Sequence, residues 1–471
     1  MTEQQIEDLG PALADFLNQF LFCCGYTQTF AHLGVYCRGL LSNLERKTCE
    51  PIALAAGLPV RTLQEFLRDH GWDQDQVRDL LQQDFAFTLP QRPADSLGTI
   101  GLIDETGVAK KGSLTPGVQR QWCGELGKKD NCIVTVHLGV ARGGYKTLLD
   151  RDLFLPESWS DDRERCRAAG IPDELIHRPK WKIALEQVDR AKGNGIVLDW
   201  LTFDEGYGGC PEFMLELDGR KLRFVGEAPR SFHCFAVREP AAASSSKAED
   251  LVRHSPAFVS QPWQTFRLTR QTLGDQVWQA KAARVWLSVD SKPSEKTYWL
   301  IWARNERTGE EKYFVSNAPE NTSLRVLLLV AFSRWNVEHE FRVSKKELGF
   351  RHFEGRNYIG LMRHLTLCQL MLTFVANQTA RLRKKNPEVT LEQVCFCLNG
   401  LCWQWLEKLR GSSDRRYRSE ASLYHQKRNR TARQSRQDKH GDLPPEYSHT
   451  RRRTRKRLPR KRCCRPLSGI P

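Results

Sequence analysis

The sequence predicts an α/β fold: a mixed sheet core preceded by a helical amino-terminal domain, interrupted by a β-rich insertion and followed by a basic tail. Two apolar runs, residues 99–104 and 196–204, each read as a buried strand that closes on an acid. A stretch rich in tryptophan and β-branched residues separates the second run from a strongly helical one beginning near Ser323. The charge is also unevenly placed. Residues 411–471 carry 19 Lys and Arg against 5 Asp and Glu, so they supply most of the net charge of +16 and leave a nearly neutral body.

The chain has 471 residues, 40% of them apolar and 27% charged, as expected of a globular protein of two or three domains. A polycation on a neutral body makes nucleic acid the first partner to consider. The opening M-T-E-Q-Q-I-E-D is acidic and has no secretory pattern. The 15 cysteines include no C-x-x-C pair. The most apolar run, residues 365–376, is too short for a membrane span. The expectation is a cytoplasmic protein with reduced, mostly buried thiols and no membrane partner.

Residues 1–95 read as helical. Within them, residues 50–70 have the layout of a helix-turn-helix. Ala53 is small at the helix crossing, Gly57 sits at the turn and Pro59 just beyond it; Ile52, Ala56, Leu58, Leu63 and Phe66 fill the buried positions. Arg61, Gln64 and Arg68 then point outward, with side chains able to reach base edges or phosphates. An ordinary helical hairpin has the same pattern. Residues 91–96, with Pro93, form a linker. Residues 96–230 read as the first part of the core, with strands at 99–104, 132–140, 145–154, 196–204 and 222–225 and helices at 180–192 and from Pro211. Lys110 and Lys111 follow the first strand. Residues 231–320 are the β-rich insertion, with Trp263, Trp278, Trp286, Trp299 and Trp302 and a flexible loop at 241–247. Residues 321–410 complete the core with one long helix from Ser323 to a stop at Gly349, then helices at 357–385 and 391–409. Residues 411–471 read as a disordered tail, too polar and basic to fold alone.

The candidate chemistry lies in three carboxylates. Asp104 and Asp204 each close a strand at a glycine-containing turn, and ligands collect at strand ends in sheets that include parallel strands. On the long helix, Arg334, Glu338, Arg342 and Lys345 fall on one face. Taken singly, each Asp reads as a turn residue and the helix as a solvated face with i,i+4 ion pairs. Taken together, three oxygen ligands suit Mg²⁺ or Mn²⁺. Two such ions, about 3.5–4 Å apart, activate an attacking oxygen and stabilise a leaving one in phosphodiester cleavage. Glu105 and Glu205 are the neighbouring acids expected to face away.

At these residues the chain resembles bacterial insertion-sequence transposases of the DDE superfamily, in the group with the signature Y-x-x-R-x-x-x-E-x-x-x-x-x-x-K. Arg334, Glu338 and Lys345 match that spacing, D-E-T-G-V-A-K-K-G around Asp104 resembles the first-aspartate motif, and F-D-E-G-Y-G around Asp204 the second. One departure is Ala331 at the tyrosine position. The resemblance implies an RNase H-like core, with Asp104, Asp204 and Glu338 holding two Mg²⁺ or Mn²⁺ ions. It implies cleavage at the ends of an insertion sequence followed by strand transfer into target DNA, with Arg334 and Lys345 on phosphates. The partners it implies are double-stranded DNA, as terminal inverted repeats and as target, and a second copy of the chain in a synaptic homodimer associated with the nucleoid. Two other readings stay open: a transposase-derived DNA-binding protein without catalysis, and an RNase H-like nuclease without strand transfer.

Overall fold

A computed structural model describes residues 1–238, 244–270 and 274–440. Residues 1–411 form one compact unit and 412–471 a second, so the amino-terminal helices and the β-rich insertion both belong to the first. The expected loop at 241–247 lies partly, and the tail beyond 440 wholly, outside the described residues.

One mixed sheet runs through the first unit. Its strands are β1 (Thr99–Ala109), β2 (Gln119–Cys123), β3 (Lys128–Arg142), β4 (Tyr145–Leu153), β5 (Trp200–Phe203), β6 (Phe224–Ala228), β7 (His233–Phe235), β8 (Ser246–Lys247), β9 (Gln264–Arg270), β10 (Gly274–Val289), β11 (Lys292–Asn305) and β12 (Glu311–Ser316). They are ordered β2-β3-β1-β5-β6-β12-β11-β10-β7-β8, with β4 also on β3 and β9 on β10. β1, β3 and β4 are antiparallel, whereas β5 is parallel to β1 and β6 to β5. The insertion joins the sheet through β12, which pairs antiparallel with β6. Of its tryptophans, Trp278 is fully buried against Phe332, with ring centroids 4.7 Å apart.

The helix Tyr358–Arg383 passes through the interior and is buried along most of its length. It is long and apolar enough to cross a membrane, but here its apolar residues are core. Thr373 on it meets Thr147 of β4 at 3.2 Å, and His364 meets Tyr36 of the helix Thr27–Leu41 at 2.9 Å. The amino-terminal helices and the sheet therefore share this helix as a common support.

Residues 50–70 fall on two short helices, Cys49–Ala55 and Val60–Arg68. Gly57 between them has φ +69°, a left-handed conformation that strains any side chain, and this fixes the turn. Ala53, Leu63 and Phe66 are fully buried, while Arg61, Gln64 and Arg68 are exposed. Arg61 pairs with Glu65 at 2.5 Å and Arg68 with Asp69 at 2.7 Å.

Four expectations are corrected. The first strand continues to Ala109, so Asp104 lies in mid-strand, because β3 supplies antiparallel partners for 105–109. The second is shorter than expected, since only 200–203 pair, and Asp204 then caps the following helix. The helix from Ser323 is two helices, Leu324–Ser333 and Trp335–Glu347, meeting at Arg334. Ser333 Oγ donates back to the Val330 carbonyl at 2.6 Å, a contact that bends helices, and i,i+3 bonds tighten the turn around Arg334. In the second unit, residues read as unfolded form the helix Asp414–His440, whose ion pairs include Arg416–Glu420 at 2.8 Å and Arg418–Asp414 at 2.7 Å.

Candidate active site

The register of β1 on β5 brings two acids together. Leu102 pairs with Thr202 in parallel, so two residues further on Asp104 comes alongside Asp204. Backbone groups position both carboxylates. Asp104 Oδ1 accepts from the Glu105 amide at 2.7 Å, and Asp204 Oδ1 accepts from Gly206 at 3.0 Å as the amino-terminal cap of the short helix Glu205–Gly208. That helix lies hard against β6: a Cβ at Gly208 would sit 1.9 Å from the Glu227 carbonyl oxygen, so only glycine allows the approach.

Arg334 supplies the third element. Its Nη1 donates to Asp104 Oδ2 at 3.0 Å, and its Nη2 lies 2.7 Å from Glu338 Oε1. Among the described residues the three acids therefore do not converge on one point, because a guanidinium stands between Asp104 and Glu338. Glu338 is the most open of the group, with 44% of its side chain exposed against 11% for Asp104.

Burial pushes the Asp104 carboxyl up to about 8; Arg334 pulls it back, while Asp204 and Glu105 push it further. Asp204 is also raised, by burial and then by Glu105. These are oxygen donors that resist carrying their negative charges without a cation. Arg334 provides one, and a hard divalent ion would suit the same oxygens. The donor set thus fits the metal that the sequence implies.

The other expected residues divide. Lys345 Nζ donates to the Gly107 carbonyl at 3.3 Å, placing it along β1 from Asp104, and burial lowers its pKa. Lys110 is held down at about 8 by burial and donates to the Phe353 carbonyl, whereas Lys111 is exposed. Arg342 turns elsewhere, 3.5 Å from Glu392 on the helix Leu391–Arg410. Ala331 is buried. Arg61, Gln64 and Arg68 lie on the helix Val60–Arg68, among the amino-terminal helices.

Two neighbours were not legible in advance. Lys180 pairs with Glu105. Tyr207 is buried, and its phenol is pushed far up by burial, then by Glu105, Asp104 and Asp204. Its position three residues after Asp204, in F-D-E-G-Y-G, was the available signal.

A family profile described as DDE superfamily endonuclease matches residues 19–287, more than half of the chain. The chain belongs to that family. The match includes Asp104 and Asp204 and stops before Glu338. The enzyme is also similar to the probable transposase for insertion sequence element IS701 of Microchaete diplosiphon, 29% identical over 335 residues, covering 70% of this chain and 77% of the relative. Family and relative together make this endonuclease a DNA transposase.

Proposed function

We propose that the enzyme cuts DNA at the ends of an insertion sequence and joins the freed end to target DNA, with Asp104, Asp204 and Glu338 as the metal ligands. The observation that carries this reading is that Asp104 on β1 and Asp204 just past the end of the parallel β5 come alongside each other, with Glu338 joined to Asp104 through Arg334. The order β4-β3-β1-β5-β6, three antiparallel strands followed by two parallel ones, supports the RNase H-like reading of the core. Bound Mg²⁺ or Mn²⁺, as two ions, would activate the attacking oxygen and stabilise the leaving one.

The chain's own residues do the rest. Asp104 and Asp204 fix their oxygens through backbone amides, so they need no rearrangement to bind a cation. Arg334 neutralises Asp104 and Glu338 until metal replaces it, then turns its planar fork to a phosphate of the substrate. Lys345, further along β1, places a point charge on a neighbouring phosphate. A synaptic homodimer would bring two ends together.

The test is Mg²⁺-dependent nicking of a labelled duplex that contains an element end. Asp104→Ala, Asp204→Ala and Glu338→Ala should each reduce nicking by about 10³-fold or more, because ligands of one site act as a unit. Glu205→Gln should change it less than tenfold. Nicking that survives Asp204→Ala would refute the assignment. An unmutated chain that binds ends and never nicks would support the DNA-binding reading instead.

End recognition belongs in this proposal to the exposed face of Val60–Arg68. Arg61→Ala or Gln64→Ala should reduce discrimination between the end and random DNA by about 1–3 kcal/mol, the scale of a good base contact. Competition binding measures it, and unchanged discrimination would leave these helices a purely structural role.

A further inference from the structure

The strand that carries Asp104 leads to a hairpin outside the site described above. β2 and β3 form it, with a tip at Gly124–Gly127, at the edge of the sheet. Its two faces differ in chemistry. On one, Cys123, Cys132 and Val134 are buried with Phe154 packed on them. Gly107 of β1 lets this face close: a Cβ there would meet Cys123 Cα and the Gly124 amide nitrogen, each at 3.3 Å. The hairpin is thus anchored as an extension of the sheet.

The other face is open. Arg120 pairs in register with Asn131, Trp122 with Lys129, and Asp104 with His137. Register partners share a face, as do residues two apart along a strand. Positions 129, 131 and 137 of β3 have the same parity, so Arg120, Trp122 and Lys129 lie on the face that carries Asp104. Phe341 and Phe350 cover His137 there, with ring centroids at 5.1 and 5.4 Å. Past Lys345 the face emerges into solvent. Trp122 is 60% exposed and is the one tryptophan among the exposed large apolar side chains of the described residues. The hairpin acids are already matched, Asp130 with Lys128 at 2.9 Å and Glu125 with Arg351 at 3.3 Å. Arg120 and Lys129 are exposed and enter no ion pair among the described residues.

An exposed aromatic ring between two unmatched cations, on the face that carries the acids, has the chemistry of a nucleic-acid contact. We propose that the β2–β3 hairpin grips duplex DNA, with Arg120 and Lys129 on phosphates and the Trp122 ring against the sugar–base edge. Eight residues of β3 separate the partners of Trp122 and Asp104, about 26 Å at ~3.3 Å per residue. At ~3.4 Å per base pair that is roughly eight base pairs from the cut. The distance rests on the cleavage site proposed above; the contact itself does not.

The experiment uses the full chain and a random-sequence duplex of about 40 base pairs carrying 5-iodouracil. Arg120→Gln with Lys129→Gln should flatten the slope of log affinity against log salt by about 1.8, at ~0.9 per phosphate contact. Irradiation should cross-link the peptide that contains Trp122. An unchanged slope, with no such cross-link, would overturn the proposal even where Mg²⁺-dependent nicking is intact. Cross-linking and slope as expected in a chain that never nicks would confirm the hairpin contact and remove only the distance to a cut.

Discussion

Asp104 and Glu338 are the two ends of one ion chain through Arg334, and the protein fixes them by opposite means. Asp104 sits in the middle of a strand, paired with His137 of β3 and two residues past the last residue that β5 pairs. Its backbone cannot shift without disturbing the β3 ladder, which continues on both sides of it. Glu338 lies in the first turn of a helix that begins at a bend, and nearly half of its side chain meets solvent. The sheet half of the site is preorganised; the helix half is adjustable. In the proposed metal site this would give positional accuracy to the aspartates and exchange of cations to the helix.

Replacing Arg334 should separate the two halves most sharply. Arg334→Gln removes a preorganised charge and should lower nicking by about 10²-fold, the scale for losing one such donor. The same change should tighten Mn²⁺ binding to the free chain, since no guanidinium then competes for Asp104 and Glu338. Calorimetric titration reads this directly, and unaltered Mn²⁺ affinity would mean that Arg334 does not guard the ligands.

A second consequence concerns pH. In the folded chain burial pushes the Asp104 carboxyl up to about 8, against about 4 when unfolded. The folded state therefore holds this proton more tightly. The stability it contributes is fully present below about pH 4 and is lost as pH rises through about 8. The metal-free chain should lose melting temperature between about pH 6 and 8.5, and added Mn²⁺ should restore more of it at the upper end, where no proton needs displacing. Asp104→Asn should flatten both trends in a thermal melt. A trend identical in Asp104→Asn would locate the titration elsewhere.

The smallest effect belongs to Arg342. It lies on the helix half, but it is 56% exposed and faces Glu392. Arg342→Ala should alter nicking by less than about threefold and stability by no more than ~0.5 kcal/mol, as for exposed pairs generally. A loss as large as that of Arg334→Gln would extend the adjustable half along the whole helix.

The sequence disclosed what short-range patterns encode. Apolar periodicity placed both acid-bearing strands, Gly57 marked the turn between two helices, and Ser323 and Asn357 mark helix starts that the structure caps with their side chains. What it withheld depends on distant partners. Residues 105–109, E-T-G-V-A, look like the end of a strand, and only pairing with 132–136 makes them continue it. The Arg334–Glu338 spacing was legible, but the break at Arg334 and the contact with Asp104, 230 positions away, were not. Arg342 shared the helical stripe by spacing and left it because Glu392, beyond the next helix, attracts it. Composition shows that the tail has little to bury, whereas the helix Asp414–His440 draws on i,i+4 charge pairs along its exposed surface.

The buried helix Tyr358–Arg383 has a consequence for biosynthesis. Its partners are made long before it: Tyr36 precedes His364 by 328 positions and Thr147 precedes Thr373 by 226. A chain emerging from the ribosome must keep most of its sheet and its amino-terminal helices waiting for a segment made in the last third of translation. Contacts of such separation slow folding and leave strand surface uncovered in the interval. Premature termination before residue 358 would yield a fragment in which the strands leading to both aspartates exist and neither layer can close. Such fragments should be cleared by proteases rather than persist as competing DNA binders.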